Sequence, residues 1–355
     1  MINLIAPINT LGYGVAGYNI LKELYKIDNS VSLYPISQPQ DFESEELYAA
    51  IQNQEKCLTD RPCVKIWHQN DLMTRVGTGK YIGFPIFELD RFNIKEITSL
   101  HHCDKIFVCS KWAKQIILKN LHNAKFKDED VHVVPLGVDN NIFSPSAVSG
   151  RKSTVFFNCG KWEKRKGHDI LLECFNNAFS ENDDVELWMM CDNPFIGEGN
   201  KNWQDLYKNS KLGSKIRIIP RQKTHQDVMS IMRQADCGVF PSRAEGWNLE
   251  LLEMMAMGKH VITTNYSAHT EFCTPVNSRL INIDNLETAF DGVFFDGRGG
   301  MWAELAQEQK DVTIEYMRDV HTLKQDGQLT INQNGIDTGK QFSWKNSAQE
   351  LINGL

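Results

Sequence analysis

Apolar residues along this chain gather in short runs. Most are followed by a glycine-rich or polar loop and then by a stretch with apolar residues at helical spacing. In the first half Met1–Pro7, Val31–Ile36, Val64–Trp67, Tyr81–Phe87 and Lys105–Cys109 read as strands. A helix follows the first strand through about Tyr25. Ser110 caps another, with Trp112, Ile116 and Ile117 on its apolar face. In the second half Thr154–Asn158, Val185–Cys191, Ile216–Pro220, Cys237–Phe240 and His260–Thr264 read as strands. Helices are expected from about His168 and after Thr224. A third carries Leu249, Leu252 and Ala256 and ends at Gly258, the residue type that caps helix C-termini. Strand, loop, helix, strand repeated in this way predicts parallel sheets in an α/β protein. Ser146–Lys152 is polar, contains Gly150 and reads as a linker. The expected domains are therefore 1–148 and 149–340, with 341–355 as a C-terminal segment. Gly297-Arg-Gly-Gly300 reads as a turn and Asp311–Leu323 as a helix.

Length and composition narrow the class. At 355 residues the chain is long enough for two cores. A net charge of −7 argues against indiscriminate binding to nucleic acid or anionic membrane. The nine cysteines include no Cys-x-x-Cys pair, which fits reduced thiols in a cytoplasmic protein better than a disulfide framework or zinc site. No apolar run is long enough to span a bilayer.

Two stretches carry chemistry. Glu245 follows a strand, where open α/β sheets bind ligands, and Gly246 lets a backbone come close. The amides of Trp247, Asn248 and Leu249 would open the next helix as an anion site. Glu253 lies further along that helix. An ionised carboxylate only accepts hydrogen bonds and suits paired sugar hydroxyls. The other stretch holds Lys161, Lys164, Arg165 and Lys166 between a strand and a helix. Fixed cations there would stabilise developing negative charge.

The string Glu245-Gly-x5-x-Glu253, followed by Met-Ala-x-Gly and Val-Ile, resembles the Glu-x7-Glu element of retaining glycosyltransferases of family 4, which have the GT-B fold. The resemblance implies two doubly wound Rossmann-like domains facing a cleft, with the helix after Phe342-Ser-Trp344 crossing back to the first domain. It implies that Glu245 contacts the donor sugar, Glu253 holds the nucleotide ribose, and the amides of Gly246, Trp247, Asn248 and Leu249 hold sugar and diphosphate. Gly160 to Gly167 is similar to the family's Gly-Arg-x4-Lys-Gly, whose Arg and Lys clamp the diphosphate; here Lys161 replaces the Arg and Lys166 keeps its place. Gly14 in Gly12-Tyr-Gly14 would meet the distal phosphate, His68 the donor sugar and Arg221 the nucleobase. Lys166, Lys161, Glu245 and His68 are the implied catalytic set. The family usually has Phe-Gly where this chain has Trp247-Asn248. The implied activity is transfer of a sugar, with retention, from a nucleotide-diphosphate sugar to an acceptor hydroxyl. No cofactor and no metal are expected, because no Asp-x-Asp lies at the donor site and lysines take the metal's place.

Four rivals have definite marks. Gly12-x-Gly14-x-x-Gly17 matches a dinucleotide fingerprint, yet the second strand is followed by Ser37-Gln-Pro39-Gln rather than a ribose-binding acid. A glycosyltransferase acting on a modified nucleic-acid base would need a basic groove in the first domain. A phosphorylase-like enzyme would need a pyridoxal lysine. A binding module without catalysis would not need both the carboxylate pair and the phosphate lysines. Two motifs are decoys. Gly77-Thr-Gly79-Lys80 has Thr74 and Tyr81 where a P-loop needs Gly and Ser or Thr. His101-His102-Cys103-Asp104 reads as a helix end, since adjacent residues cannot all face one ion.

Overall fold

The computed structural model describes residues 2–121 and 125–355, so Met1 of the first expected strand lies outside it. The chain forms two compact units, Met1–Gly137 with Phe342–Leu355, and Val138–Gln341.

The first unit runs β1 (Asn3–Ala6), α1 (Gly12–Ile27), β2 (Ser32–Pro35), α2 (Glu45–Gln52), β3 (Cys63–Ile66), β4 (Tyr81–Phe84), α3 (Ile94–His101), β5 (Lys105–Val108), α4 (Lys111–Asn120) and β6 (Val131–Val133). All strands are parallel, in the order β2-β1-β3-β4-β5-β6. β4 is shorter than expected and stops before Pro85, which lacks the N–H that a continuing ladder needs. α4 begins at its expected cap, where the Ser110 side chain accepts from the Ala113 amide. α3 ends at His101, and the Asp104 carboxylate accepts from the Tyr81 amide, so the His-His-Cys-Asp run is a helix end.

The second unit runs β7 (Thr154–Gly160), α5 (His168–Ala178), β8 (Val185–Cys191), α6 (Gly199–Lys208), β9 (Ile216–Ile218), α7 (His225–Met232), β10 (Cys237–Phe240), α8 (Leu249–Ala256), β11 (His260–Asn265), β12 (Arg279–Asn282), β13 (Leu286–Phe290), β14 (Asp296–Ala303), α9 (Gln307–Gln325) and α10 (Gln333–Gln341). Its sheet is parallel in the order β12-β11-β10-β7-β8-β9. Counted within the unit this is 3-2-1-4-5-6 read from the β9 edge, the dinucleotide-fold order. The first unit has the flavodoxin-like order instead. In each unit buried strand residues and apolar helix faces pack in a hydrophobic cluster that includes Tyr81, Leu100, Ile106 and Val108 in the first, and Phe156, Leu171, Leu187 and Val239 in the second.

Two expectations change. The segment 138–148 belongs to the second unit and is not part of the first. Ser146 donates its amide to Met257 O at 3.1 Å, Lys259 Nζ donates to Ala147 O at 3.0 Å and Asn140 Nδ2 to Gly339 O at 3.0 Å. Gly297–Gly300 is not a turn but part of β14, which pairs antiparallel with β13. Gly297 and Gly300 have φ of +83° and +133° and absorb the irregular pairing. The turn lies earlier, where the Asp291 carboxylate accepts the amides of Val293, Phe294 and Phe295.

The final helix, α11 (Trp344–Asn353), belongs to the first unit. His132 Nε2 lies 3.1 Å from Glu350 O, Lys105 Nζ donates to Gly354 O, and Lys80 Nζ donates to Leu355 O at 2.8 Å. No helix among the described residues is long and apolar enough to cross a membrane.

Candidate active site

In an open α/β sheet the ligand crevice lies beyond the carboxyl ends of the strands where the order reverses. In the second unit this point is between β7 and β10, which are paired neighbours. The loop after β7 carries Lys161–Gly167 and the loop after β10 carries Pro241–Asn248. Two motifs 80 residues apart in sequence are thereby brought together.

They meet through ion pairs. Lys166 Nζ lies 3.1 Å from Glu245 Oε1, and Arg165 Nη1 lies 2.8 Å from Glu245 Oε2. Ser242 Oγ also donates to Glu245 Oε1, at 2.9 Å. Arg165 Nη1 donates to Ala244 O, while its Nε and Nη2 hold Glu163 Oε2 at 3.0 and 2.7 Å. Glu163 in turn pairs with Lys161 at 3.0 Å. Arg165, Lys166, Glu163 and Glu245 are all buried, whereas the Lys161 side chain is 38% exposed and lies beside the Phe195 ring. Burial alone would raise the Glu245 pKa, but Lys166 and Arg165 outweigh it and hold the carboxyl well below its ordinary range. Burial likewise opposes charge on Lys166, but Glu245, Glu250 and Glu163 together outweigh it, so the ammonium is held.

The backbone of this loop is fixed from three sides. Gly167 has φ +73°, and a Cβ there would lie 2.0 Å from Pro241 O, so both conformation and space demand glycine. Trp162 is buried, stacks on Trp203 and packs at a tilt against Tyr207. His168 Nδ1 accepts the Glu163 amide at 3.1 Å, so the proton sits on Nε2, 3.1 Å from Asn158 Oδ1. Burial, with Lys166 close by, pushes the His168 pKa down to about 3. Outside the crevice, buried Arg243 grips Asp169 with two nitrogens at 2.8 and 2.9 Å, holds Glu287 at 2.9 Å and donates to Lys164 O at 2.6 Å. The β13–β14 hairpin is thus anchored to the same loop.

The turn into α8 explains the Trp247-Asn248 departure. Asn248 has φ +90°, in the left-handed region that glycine takes freely and that asparagine tolerates best among other residues. Its Oδ1 accepts the Leu251 amide at 3.2 Å and caps the helix, and its Nδ2 lies 3.0 Å from His269 Nε2. The tautomer of His269 follows from its surroundings. Nδ1 faces Thr264 O at 3.1 Å, Thr263 Oγ1 at 2.9 Å and Thr264 Oγ1 at 3.3 Å. Both hydroxyls spend their hydrogens elsewhere, on Phe240 O and Ser242 O. Nδ1 therefore donates, and Nε2 accepts from Asn248. Burial lowers the His269 pKa to about 4, leaving the ring neutral. Beside it Ser267, at φ +53°, accepts the Glu245 amide at 2.9 Å. Two of the four non-glycine residues with positive φ among those described thus flank Glu245, as expected where a site stores strain.

Glu253 lies one to two turns into α8 and is buried, and among the described residues no cation pairs with it. Burial and nearby Glu250 push its pKa well above the ordinary carboxylate value. In the ligand-free chain burial therefore favours the protonated carboxyl, which offers one donor as well as acceptors.

The second unit thus assembles Lys161, Lys166, Glu245 and Gly246–Leu249 at its switch point, with Glu253 on α8. Arg221 is exposed beyond β9, at the sheet edge. Gly14 and His68 lie at the first unit's switch point, between β1 and β3. The space left by Gly14's missing side chain is filled by Asn9, whose atoms would lie 2.3–2.4 Å from a Cβ. Gly12 meets nothing within 4 Å and has no positive φ. Exposed His68 packs with Tyr13 and Trp67, at 4.6 and 4.8 Å between ring centroids. Sequence reasoning missed Arg165, Ser267 and His269. Arg165 was visible in the basic run, but nothing set it apart from its neighbours before the fold placed it against Glu245.

Comparison with known proteins bears on the fold and on the class of protein. Residues 153–292 match the family model described as glycosyl transferases group 1. D-inositol 3-phosphate glycosyltransferase of Corynebacterium kroppenstedtii is 25% identical over 240 residues, 63% of this chain and 47% of that protein. Mannosylfructose-phosphate synthase of Agrobacterium fabrum is 22% identical over 228 residues, 56% of this chain and 48% of that protein. The chain spans about half the length of these curated relatives. Sucrose-phosphate synthase from Thermosynechococcus elongatus superposes with a TM-score of 0.72 at 13% identity, covering 99% of this chain and 97% of the other. HepE of Anabaena, in complex with UDP-glucose, gives 0.70 at 13% identity, covering 99% and 98%. The fold is GT-B, with two Rossmann-like domains. The resemblance to glycosyltransferases of family 4 holds, and its strongest part is the unit that carries the charged crevice.

Proposed function

We propose that this protein is a retaining glycosyltransferase that moves a sugar from a nucleotide-diphosphate sugar to an acceptor hydroxyl, without a metal ion. The observation that carries the proposal is the contact of Lys166 and Arg165 with Glu245 across the switch point of the second unit. A diphosphate entering there meets fixed cations. Lys166 Nζ shares its charge between Glu245 Oε1 and the phosphate oxygens, and Glu245, kept in place by Arg165 and Ser242, accepts from donor-sugar hydroxyls. As the sugar–phosphate bond breaks, negative charge grows on the departing diphosphate, and cations already aimed at it lower the barrier. The family relation supports the departing phosphate as the group that helps deprotonate the acceptor. Glu253 receives the ribose hydroxyls, and ligand contacts decide its proton.

The test has two stages. Thermal shift with UDP, GDP and ADP and their glucose or mannose conjugates should reveal one nucleotide preference; a ligand at a hundred times its dissociation constant adds about 2.7 kcal/mol. NMR of the products, from transfer or slow donor hydrolysis, should show the donor's anomeric configuration retained. An inverted product would exclude the retaining mechanism. No response to any nucleotide diphosphate would exclude the donor assignment.

A further inference from the structure

We infer that His269 is a positioning residue that acts through Asn248, and that the pair does by hydrogen bonding what a glycine would do by conformational freedom. The inference rests on the donor-site reading above but concerns residues to which that reading gives no side-chain role. The turn between Glu245 and α8 needs one residue in the left-handed region, and Asn248 supplies it at φ +90°. Glycine would adopt this angle without strain; a residue with a Cβ must be held there. Both ends of the Asn248 amide do the holding. Oδ1 is used by the Leu251 amide, within α8, and Nδ2 by His269 Nε2, across to the turn after β11. The second contact exists because Thr263, Thr264 and the Thr264 carbonyl place the ring proton on Nδ1 and leave Nε2 as an acceptor. Asn248 and His269 are both buried, so no water competes for these bonds.

The consequence is specific. The Asn248 side chain points its polar atoms into the protein and does not read the donor; its backbone presents the amides at the start of α8. His269 never touches the ligand. A second tie secures the same turn, since Ser267 Oγ accepts the Glu245 amide and the Ala268 amide donates to Glu245 O at 3.3 Å. Loss of His269 therefore loosens one side of the turn and leaves the other in place.

The experiment is a double-mutant cycle on the full chain. It reads affinity for whichever of UDP, GDP and ADP most raises the wild-type Tm, and the Tm without ligand. Asn248→Gly keeps the left-handed turn and should cost about threefold in affinity or less, whereas Asn248→Ala loses both the cap and the tolerated angle and should cost about tenfold or more. His269→Ala should cost about tenfold in the wild-type background and about twofold or less beside Asn248→Gly, because glycine no longer needs holding. Equal losses for Asn248→Gly and Asn248→Ala would overturn the inference, since a side chain that reads the donor is missed equally in both. An unchanged His269→Ala cost in the Asn248→Gly background would overturn the coupling. Should His269→Ala fail to fold, refolding of the His269→Ala, Asn248→Gly double variant supports the pair and its failure to refold sinks it. If no diphosphate binds the wild type, the glycosyltransferase reading fails. The same orders in Tm, alanine below glycine at 248 and the His269 cost abolished by glycine, then decide the pair alone.

Discussion

The two units each place a crevice at the reversal point of a parallel six-stranded sheet, yet they fill it with opposite chemistry. Between β7 and β10 the second unit buries Glu163, Arg165, Lys166 and Glu245, each charge answered within hydrogen-bond distance. Between β1 and β3 the first unit gathers Tyr13, Trp67 and His68, with the Tyr13 hydroxyl donating to Ile86 O at 2.7 Å and accepting the Ile86 amide at 2.9 Å. Topology thus fixes where a ligand goes, and the side chains at that place decide what it is. A crevice of paired buried charges is expensive to desolvate and sensitive to the loss of one partner. A crevice of rings is neither.

The largest test of this contrast removes one charge. Glu245→Gln leaves Lys166 buried with its carboxylate gone, and breaking a buried pair in this way costs about 3–5 kcal/mol. Its Tm should fall accordingly in thermal denaturation. A bound nucleotide diphosphate should raise the variant's Tm more than the wild type's, because phosphate replaces the lost anion. An equal shift in both would detach Lys166 from the phosphate.

Lys166→Ala is next. The cation is aimed at charge that develops during reaction, so kcat should fall by about a hundredfold or more while donor KM rises far less. Lys161→Arg, which restores the family's residue, should remain folded and active. An unchanged kcat in Lys166→Ala would make that lysine a structural partner of Glu245 and nothing more.

Glu253→Gln separates ligand binding from stability. Removing charge-assisted bonds to ribose hydroxyls costs about 1.5–3 kcal/mol of diphosphate affinity, measurable by calorimetry. The ligand-free variant should nonetheless melt higher than wild type at pH 7–8. The folded state keeps the Glu253 proton above the pH at which the unfolded chain releases it, near 4.3, so stability falls as pH rises through that window, and glutamine removes the loss.

Acid should distinguish the two crevices. His168 and His269 are held neutral by burial, with pKa values pushed down to about 3 and about 4, and Glu245 is held ionised. Each binds fewer protons folded than unfolded, so stability should decline as pH falls below about 6.5 for the histidines and further below about 4.3 for the glutamate. Tyr13→Phe in the other crevice removes two hydrogen bonds of about 1 kcal/mol each. That loss should not vary between pH 4 and pH 8, because burial keeps the phenol protonated throughout. The smallest expected effect is that of EDTA, which should leave transfer unchanged; activity lost on chelation and restored by magnesium or manganese would show that the lysines do not replace a metal.

The two crevices also differ in how far the sequence discloses them. Glu245, Glu253 and Lys166 stand at fixed spacing beside strands with clear apolar runs, and the fold brings the two stretches together as the family resemblance implies. His269 and Ser267 are a different matter. Their partners, Asn248 and Glu245, lie more than a helix away in the chain, and only the pairing of β10 with β11 sets them opposite each other. The cluster of Tyr13, Trp67 and His68 depends in the same way on β1 pairing with β3. Gly297–Gly300 fails for a local reason: three glycines that suit a turn equally suit an irregular hairpin, and with Arg298 alone beside them the strand signal is weak. The linker fails because polar residues such as Ser146 can satisfy their backbone against a neighbour as readily as against water.

In the second unit, the contact between Gly167 and Pro241 has a genetic reading. Position 167 has no tolerated side chain, since even a methyl group would meet the Pro241 carbonyl at 2.0 Å. In a saturation library selected for function, this codon should return glycine alone. Lys164, whose half-buried side chain donates to the Phe290 carbonyl at 3.3 Å, should accept most residues three codons upstream. A lineage that drifts freely at 164 can never explore 167 until 241 has moved first. The loop that carries the cations is therefore inherited together with its proline.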